Sequence, residues 1–303
     1  MKEELHRYRQ AISCFNEPLR TFLSNQEIKL AKRITEIRLR INRPVCVYGT
    51  NEQYFLSSSG QLTSFYSDSL LRTDRQTLDH VYHSICEYSV YCRQNEIAEG
   101  FVTLRGGHRA GICGTAVIHD DVMHNIRDVS SLNLRFAREK HGCADRVLHE
   151  ISDVRGGILI CGAPNSGKTP VRRDWARQLS YQCKISLIDE RGELAACVNG
   201  EPQNDVGLCD VYCGYPKSLA MIQAVRSMAP EIIVCDEIGS VEECEALEQC
   251  RRSGVAVIAT VHACKTEDLT FRKLLKTNAF SIFVFLENRK ITAVKSAGEY
   301  VVA

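Results

Sequence analysis

Ile158-Leu159-Ile160-Cys161-Gly162-Ala163-Pro164-Asn165-Ser166-Gly167-Lys168-Thr169 is the stretch that decides the fold. Its first four residues are apolar without alternation, which reads as a strand buried on both faces. The rest matches GxxxxGK[ST] at every fixed position, between that strand and a helix, where such a loop belongs. Glycines let the backbone curl so that successive N–H groups face a β-phosphate. The start of the helix adds positive partial charge. In this reading Lys168 neutralises the β and γ oxygens and the Thr169 hydroxyl is a Mg²⁺ ligand, so ATP and Mg²⁺ are the expected ligands. The bland alternative is a Gly-rich turn with an incidental lysine, and the strand–loop–helix context argues against it.

Pro170 follows Thr169. The backbone N–H at that position commonly donates to the α-phosphate, and proline has none to give. Proline is tolerated in a first helical turn, so the expectation is an intact fold with nucleotide binding weakened by about 1–3 kcal/mol.

Downstream, Ile232-Ile233-Val234-Cys235-Asp236-Glu237 is an apolar strand ending in two carboxylates. Asp236 suits the Mg²⁺ shell, directly or through water, and Glu237 suits a general base acting on the attacking water. Ile188-Asp189-Glu190-Arg191-Gly192-Glu193 and Ile258-Ala259-Thr260-Val261-His262 put further polar groups at strand ends, the edge where open α/β sheets bind ligands. Glu190 and His262 are therefore candidates for the chemistry, and Thr260 and His262 for sensing a γ-phosphate. A solvated charge cluster and a satisfied surface histidine are the alternatives. Short apolar strands alternate with helices from Gly157 to Thr260, the pattern of a parallel sheet covered on both faces. Phe280–Leu286 and Ile291–Lys295 are expected as edge strands.

The preceding part reads differently. A helical pattern covers about Glu3 to Arg33, then Glu36–Ile41 alternates as a half-buried strand and Val45–Tyr48 suggests a second. Ser57 to Ser69 is polar and expected as loop or hairpin. Thr73 is a candidate N-cap for a helix presenting Leu78, Val81, Tyr82 and Ile85 on one face. Phe101 to Ile112 reads as a hairpin turning at Gly106-Gly107, and Leu132–Phe136 alternates again. These patterns divide the chain into an α+β domain over 1–141 and an α/β domain over 142–303.

Composition narrows the possible functions. The chain has 303 residues, 44% hydrophobic and 25% charged, with a formal charge of +1. That is a globular composition without the basic excess of a duplex-binding protein. No apolar run approaches the ~20 residues that cross a bilayer, and the first residues lack an apolar leader. The expectation is a cytoplasmic protein whose membrane association, if any, comes through partners. The 15 cysteines are scattered without zinc spacing, so they read as reduced thiols acting as small hydrophobes.

At this point the residues resemble a known family. Asp189–Glu193, Pro202–Gly207, Ala224–Pro230, Asp236–Gly239 and Ala259–His262 look like stage III sporulation protein AA. So do Glu36–Arg40 with Arg43-Pro44, Gly106–Arg109 and Asn133–Glu139. That family is similar to the hexameric ATPases of type II and type IV secretion systems. The resemblance implies a RecA-like P-loop NTPase core behind a smaller N-terminal α+β domain, and subunits in a homo-oligomeric, hexameric ring. It implies a role in powering a channel with membrane-embedded sporulation proteins during endospore formation. It also matches Asp189–Glu193 and His262 to the acidic and histidine boxes of secretion ATPases, and offers Arg105, Arg109 and Arg135 as candidates to complete the site. Pro170 stands where a second Thr is usual, Ser240 where Arg or Lys is usual, and the segment after His262 looks compressed.

Two other readings compete with the motor enzyme. A RecA-like nucleic-acid motor is opposed by the near-zero charge and by the lack of a basic, aromatic-interleaved stretch. A nucleotide-gated scaffold with little turnover is the other, and Pro170 is its argument.

Overall fold

The computed structural model describes residues 2–151, 154–262 and 269–299. The segment after His262 whose length looked compressed lies mostly outside the described residues. The chain forms two compact units, Met1–Arg138 and Glu139–Ala303, each considered by itself.

The first unit is built on seven antiparallel strands. They are β1 (Ile34–Arg40), β2 (Cys46–Gly49), β3 (Gln53–Leu56), β4 (Leu62–Thr63), β5 (Phe101–Thr103), β6 (Arg109–His119) and β7 (Val122–Arg135), in the order β4-β3-β2-β1-β7-β6-β5. One face of the sheet is buried by helices α1 (Lys2–Ile12), α2 (Leu19–Asn25), α3 (Glu27–Leu30), α4 (Arg75–Ile85) and α5 (Gln94–Ala98). Ile37 and Leu39 of β1 and Leu132 and Leu134 of β7 meet Tyr8, Leu23, Leu78 and Ile85 there, as the two-residue period of the strands demands. Three expectations need correction. The helical pattern over Glu3–Arg33 is three helices: Pro18, which cannot donate into a continuing helix, stands before α2, and a second break falls at Gln26. The cap of α4 is Asp74, not Thr73: its carboxylate accepts from the Thr77 N–H at 2.7 Å. The hairpin expected over Phe101–Ile112 is the pair β5–β6, but β6 runs on past Ile112 to form a long ribbon with β7, pairing out to His119 and Val122. Its outer part is mostly exposed, so burial imposes no apolar alternation for a reader to find.

The second unit begins with α6 (Asp145–Glu150). It then alternates β8 (Ile158–Cys161), α7 (Lys168–Leu179), β9 (Ile185–Asp189), β10 (Asp210–Cys213), α8 (Lys217–Ser227), β11 (Ile232–Glu237), α9 (Val241–Arg252) and β12 (Ala256–Val261). After α10 (Leu269–Lys276) a hairpin of β13 (Ile282–Glu287) and β14 (Lys290–Ser296) closes the chain. The sheet order is β10-β9-β11-β12-β8-β13-β14, parallel except for the last pair. Successive strand residues feed opposite layers. Leu159, Cys161, Ile233 and Cys235 meet α8 and α9, whereas Ile158, Ile160, Ile232 and Val234 meet Trp175 and Leu179 of α7. Both faces are covered, which is why these strands carry continuous apolar runs.

β13 is not an edge strand. It lies between β8 and β14, parallel to β8, with Phe283, Val284 and Leu286 buried. The opposite edge is β10, which gave no sequence signal because Asp210 and Cys213 are exposed and the strand is short. The described cysteines are free thiols, and burial pushes those of Cys161 and Cys235 up to about 12, away from reactivity.

Candidate functional site

The phosphate-loop sequence folds between β8 and α7 with two residues in the left-handed region, Asn165 at φ 62 and Gly167 at φ 98. Gly162 also has a packing reason: a Cβ there would stand 2.6 Å from the Leu286 carbonyl oxygen and 2.6 Å from Ser166 Oγ. Among the described residues the buried Ser166 hydroxyl has no hydrogen-bond partner, an unused hydrogen-bonding group inside the curled loop. Pro170 sits in the first turn of α7, where no intrahelical N–H is required.

Lys168 is buried, and its ammonium donates to the carbonyls of Gly162 (2.6 Å) and Ala163 (2.8 Å) and to His262 Nδ1 (2.9 Å). His262 in turn meets Glu237: its Nε2 lies 3.0 Å from Glu237 Oε2, and its backbone N–H donates to Glu237 Oε1 at 3.0 Å. The neutral imidazole protonated at Nε2 satisfies both ring contacts, accepting from Lys168 and donating to Glu237. The structure thus joins Lys168, His262 and Glu237 into one hydrogen-bonded chain at the ends of β8, β12 and β11. β12 separates the loop strand from the carboxylate strand.

Asp236 takes a different partner, one that sequence reading missed. Lys217, the first residue of α8, is buried. Its ammonium lies 2.8 Å from Asp236 Oδ1, 2.8 Å from Glu243 Oε1 and 3.6 Å from Glu190 Oε2, and it donates to the Glu237 carbonyl. Burial alone lowers the pKa of this amine, but its hydrogen bonds to Asp236 and Glu243 outweigh that and raise it, so Lys217 is a fixed positive charge. Glu190 also accepts from the Lys217 backbone N–H at 3.3 Å. A half-exposed Glu190 beside Asp236 and Glu237 is therefore one member of a carboxylate cluster organised by a single lysine. The only advance signal was a polar residue opening a helix after Pro216, too common to single out.

Two strand-end groups turn out to be structural. Asp189 is buried and accepts four backbone N–H bonds, from Glu193, Leu194, Ala195 and Ala196 at 2.7–3.1 Å, so its carboxylate shapes the loop that presents Glu190. Thr260 does not face an open site as expected; its buried hydroxyl accepts from Arg172 at 3.1 Å. Arg172, inside α7, also donates to the Cys235 carbonyl at 2.8 Å. Desolvation lowers its pKa against the attraction of Asp236.

Ser240 has a local role: it caps α9. Its hydroxyl accepts from the Glu243 N–H at 3.1 Å, and Glu243 Oε2 accepts from Ser240 N–H at 2.9 Å, a complete capping box. In the first unit, Arg109 and Arg135 face each other across β6 and β7, and the Arg109 guanidinium lies 4.4 Å from the Phe101 ring centre. Arg105 is exposed in the turn before β6.

Known proteins share this architecture. The Legionella pneumophila ATPase DotB superposes with a TM-score of 0.56 at 13% identity, covering 90% of this chain and 77% of its own. The pilus retraction motor PilT, solved with bound ADP, gives 0.53 at 16% identity over 83% of this chain and 74% of its own. At such identities the likeness concerns the fold, an α/β RecA-like ATPase fold as expected from the resemblance. Among the described residues no helix is long and apolar enough to cross a membrane. Stage III sporulation protein AA of Bacillus subtilis (strain 168) is 34% identical over 269 residues, covering 85% of this chain and 83% of the relative. The profile for sporulation stage III, protein AA matches residues 6–298, and the chain belongs to that family.

Proposed function

We propose that this protein is an ATP hydrolase that binds Mg-ATP on the loop Gly162–Thr169 and hydrolyses it with Glu237 as general base. The observation that carries the reading is the Lys168–His262–Glu237 chain at the mouth of a well-formed phosphate loop. The group that neutralises a γ-phosphate and the group that polarises an attacking water belong within one nucleotide's reach of each other.

The residues present suit the ligand. The buried Ser166 hydroxyl and the curled amides form an anion cradle, and Lys168 stands within it, donating to the Gly162 and Ala163 carbonyls. Thr169 and Asp236 are the proposed Mg²⁺ holders, Asp236 through water while Lys217 occupies its Oδ1. Bound Mg²⁺ would neutralise charge building on the β and γ oxygens. Lys168 exchanges its loop carbonyls for phosphate oxygens. His262, relieved of Lys168 at Nδ1, stays tied to Glu237 and holds that carboxylate in place. Glu237 accepts the proton of the water it orients. Lys217 holds Asp236, Glu190 and Glu243 side by side.

By family, the energy would be used by a homo-oligomeric ring, hexameric by resemblance to secretion ATPases, working with membrane-embedded sporulation proteins. These supply the context for which such a motor is fitted. Pro170 favours a second reading, a scaffold that binds nucleotide with little turnover. ATP turnover by wild type, Glu237→Gln and Lys168→Ala decides between them. The motor reading expects Glu237→Gln to lose at least about a hundredfold in kcat while still binding ATP, and Lys168→Ala to lose both. Equal turnover in wild type and Glu237→Gln would leave only the scaffold.

A further inference from the structure

We propose that Arg289 binds the nucleotide's polyphosphate from within the same chain, on the side of the loop where Pro170 withholds an amide; this rests on the phosphate-loop reading above. β13 and β14 are joined by the two-residue turn Asn288-Arg289, with φ of 49 and 63. Two successive positive φ values define a turn whose second position favours glycine. An arginine held there is in a disfavoured backbone conformation, the kind of outlier that clusters at ligand sites.

The turn lies against the phosphate loop. Arg289 N–H donates to the Ser166 carbonyl at 3.0 Å. A Cβ on Gly167 would meet Arg289 Cα at 3.2 Å and its Cβ and Cγ at 3.4 Å. The stem of the side chain therefore runs beside Gly167. Arg289 is exposed, and its guanidinium makes no hydrogen bond or ion pair among the described residues. Sheet order supplies the direction. Glu237 and His262 stand on the β11 and β12 side of β8, and Arg289 on the β13 side. A nucleotide with its γ end at Glu237 and His262 extends its α-phosphate and nucleoside towards β13. A planar donor fork suits phosphate oxygens there, in place of the N–H that Pro170 lacks.

The test is calorimetric titration of ADP and of ATP into wild type, Arg289→Gly, Arg289→Lys and Lys168→Ala. Glycine fits the turn better than arginine, so Arg289→Gly should melt no lower than wild type and a loss of affinity cannot be blamed on misfolding. Expected is a fall of about tenfold in affinity for ADP and ATP alike, with part recovered by Arg289→Lys and part by adding Pro170→Thr to Arg289→Gly. Wild-type affinity in Arg289→Gly, with binding lost in Lys168→Ala, would overturn the arginine's role and leave the phosphate loop intact. A fall for ATP alone would overturn it too, since it would place the guanidinium at the γ end. If wild type takes up neither nucleotide, the phosphate-loop reading fails and this proposal with it.

Discussion

His108 shows how a residue inside a family motif can be wholly structural. It is fully buried, its Nε2 lies 2.9 Å from the Arg7 carbonyl, and its Nδ1 accepts from the Ala137 N–H at 3.0 Å. Only the neutral ring fits that pair, and burial drives its pKa down to about 4. The unfolded chain takes up a proton below about 6.5 and the folded one only near 4. Stability is therefore full above 6.5 and falls as pH drops through that window, by about 3 kcal/mol at most. Urea unfolding of the first unit at pH 7 and pH 4.5 should show the drop, and His108→Asn should flatten it relative to wild type. Lys217 is the counterpart in the second unit. Lys217→Met strands Asp236, Glu243 and Glu190 without their shared cation, and should cost about 3 kcal/mol in urea unfolding, with Lys217→Arg milder. A loss below 0.5 kcal/mol would mean that the cluster is already neutralised by other means.

At the scale of elements, the capping box of α9 does two jobs, because Glu243 both caps the helix and pairs with Lys217. Ser240→Ala should lower stability by about 1 kcal/mol, read as a lower unfolding midpoint, and Ser240→Lys should do no better since lysine offers no acceptor. β8, β11 and β12 were legible because burial on both faces forces unbroken apolar runs, and β1 because burial on one face forces alternation. β10, the outer ribbon of β6 and β7 and the breaks between α1, α2 and α3 were not. Exposed strands carry no obligatory pattern, and a helical period persists in sequence even where proline interrupts the helix. The interior place of β13 also stayed hidden, since an apolar run does not reveal which strand it joins.

For the whole molecule, the two units have separate cores, so nucleotide binding should act on one of them. The single tryptophan, Trp175, is fully buried on α7, the helix that begins at Lys168. ATP with Mg²⁺ at about 100 times its Kd should stabilise the second unit by about 2.7 kcal/mol. That would appear as a rise in the melting midpoint read by Trp175 fluorescence and as slower hydrogen exchange in that unit. Unchanged exchange there, with slowing in the first unit instead, would contradict the proposed site. The sequence by itself determined the strand–loop–helix that begins at Ile158, the parallel sheet around it and the family, because each is written in contiguous residues whose local conformation is dictated by glycine, apolar runs and caps. Only the tertiary structure decided which polar groups meet. Lys168 and His262 are 94 residues apart and Arg172 and Thr260 are 88 apart, and Arg289 reaches Gly167 only because β13 lies beside β8. Strand order is a global choice among packings, and no local pattern encodes it.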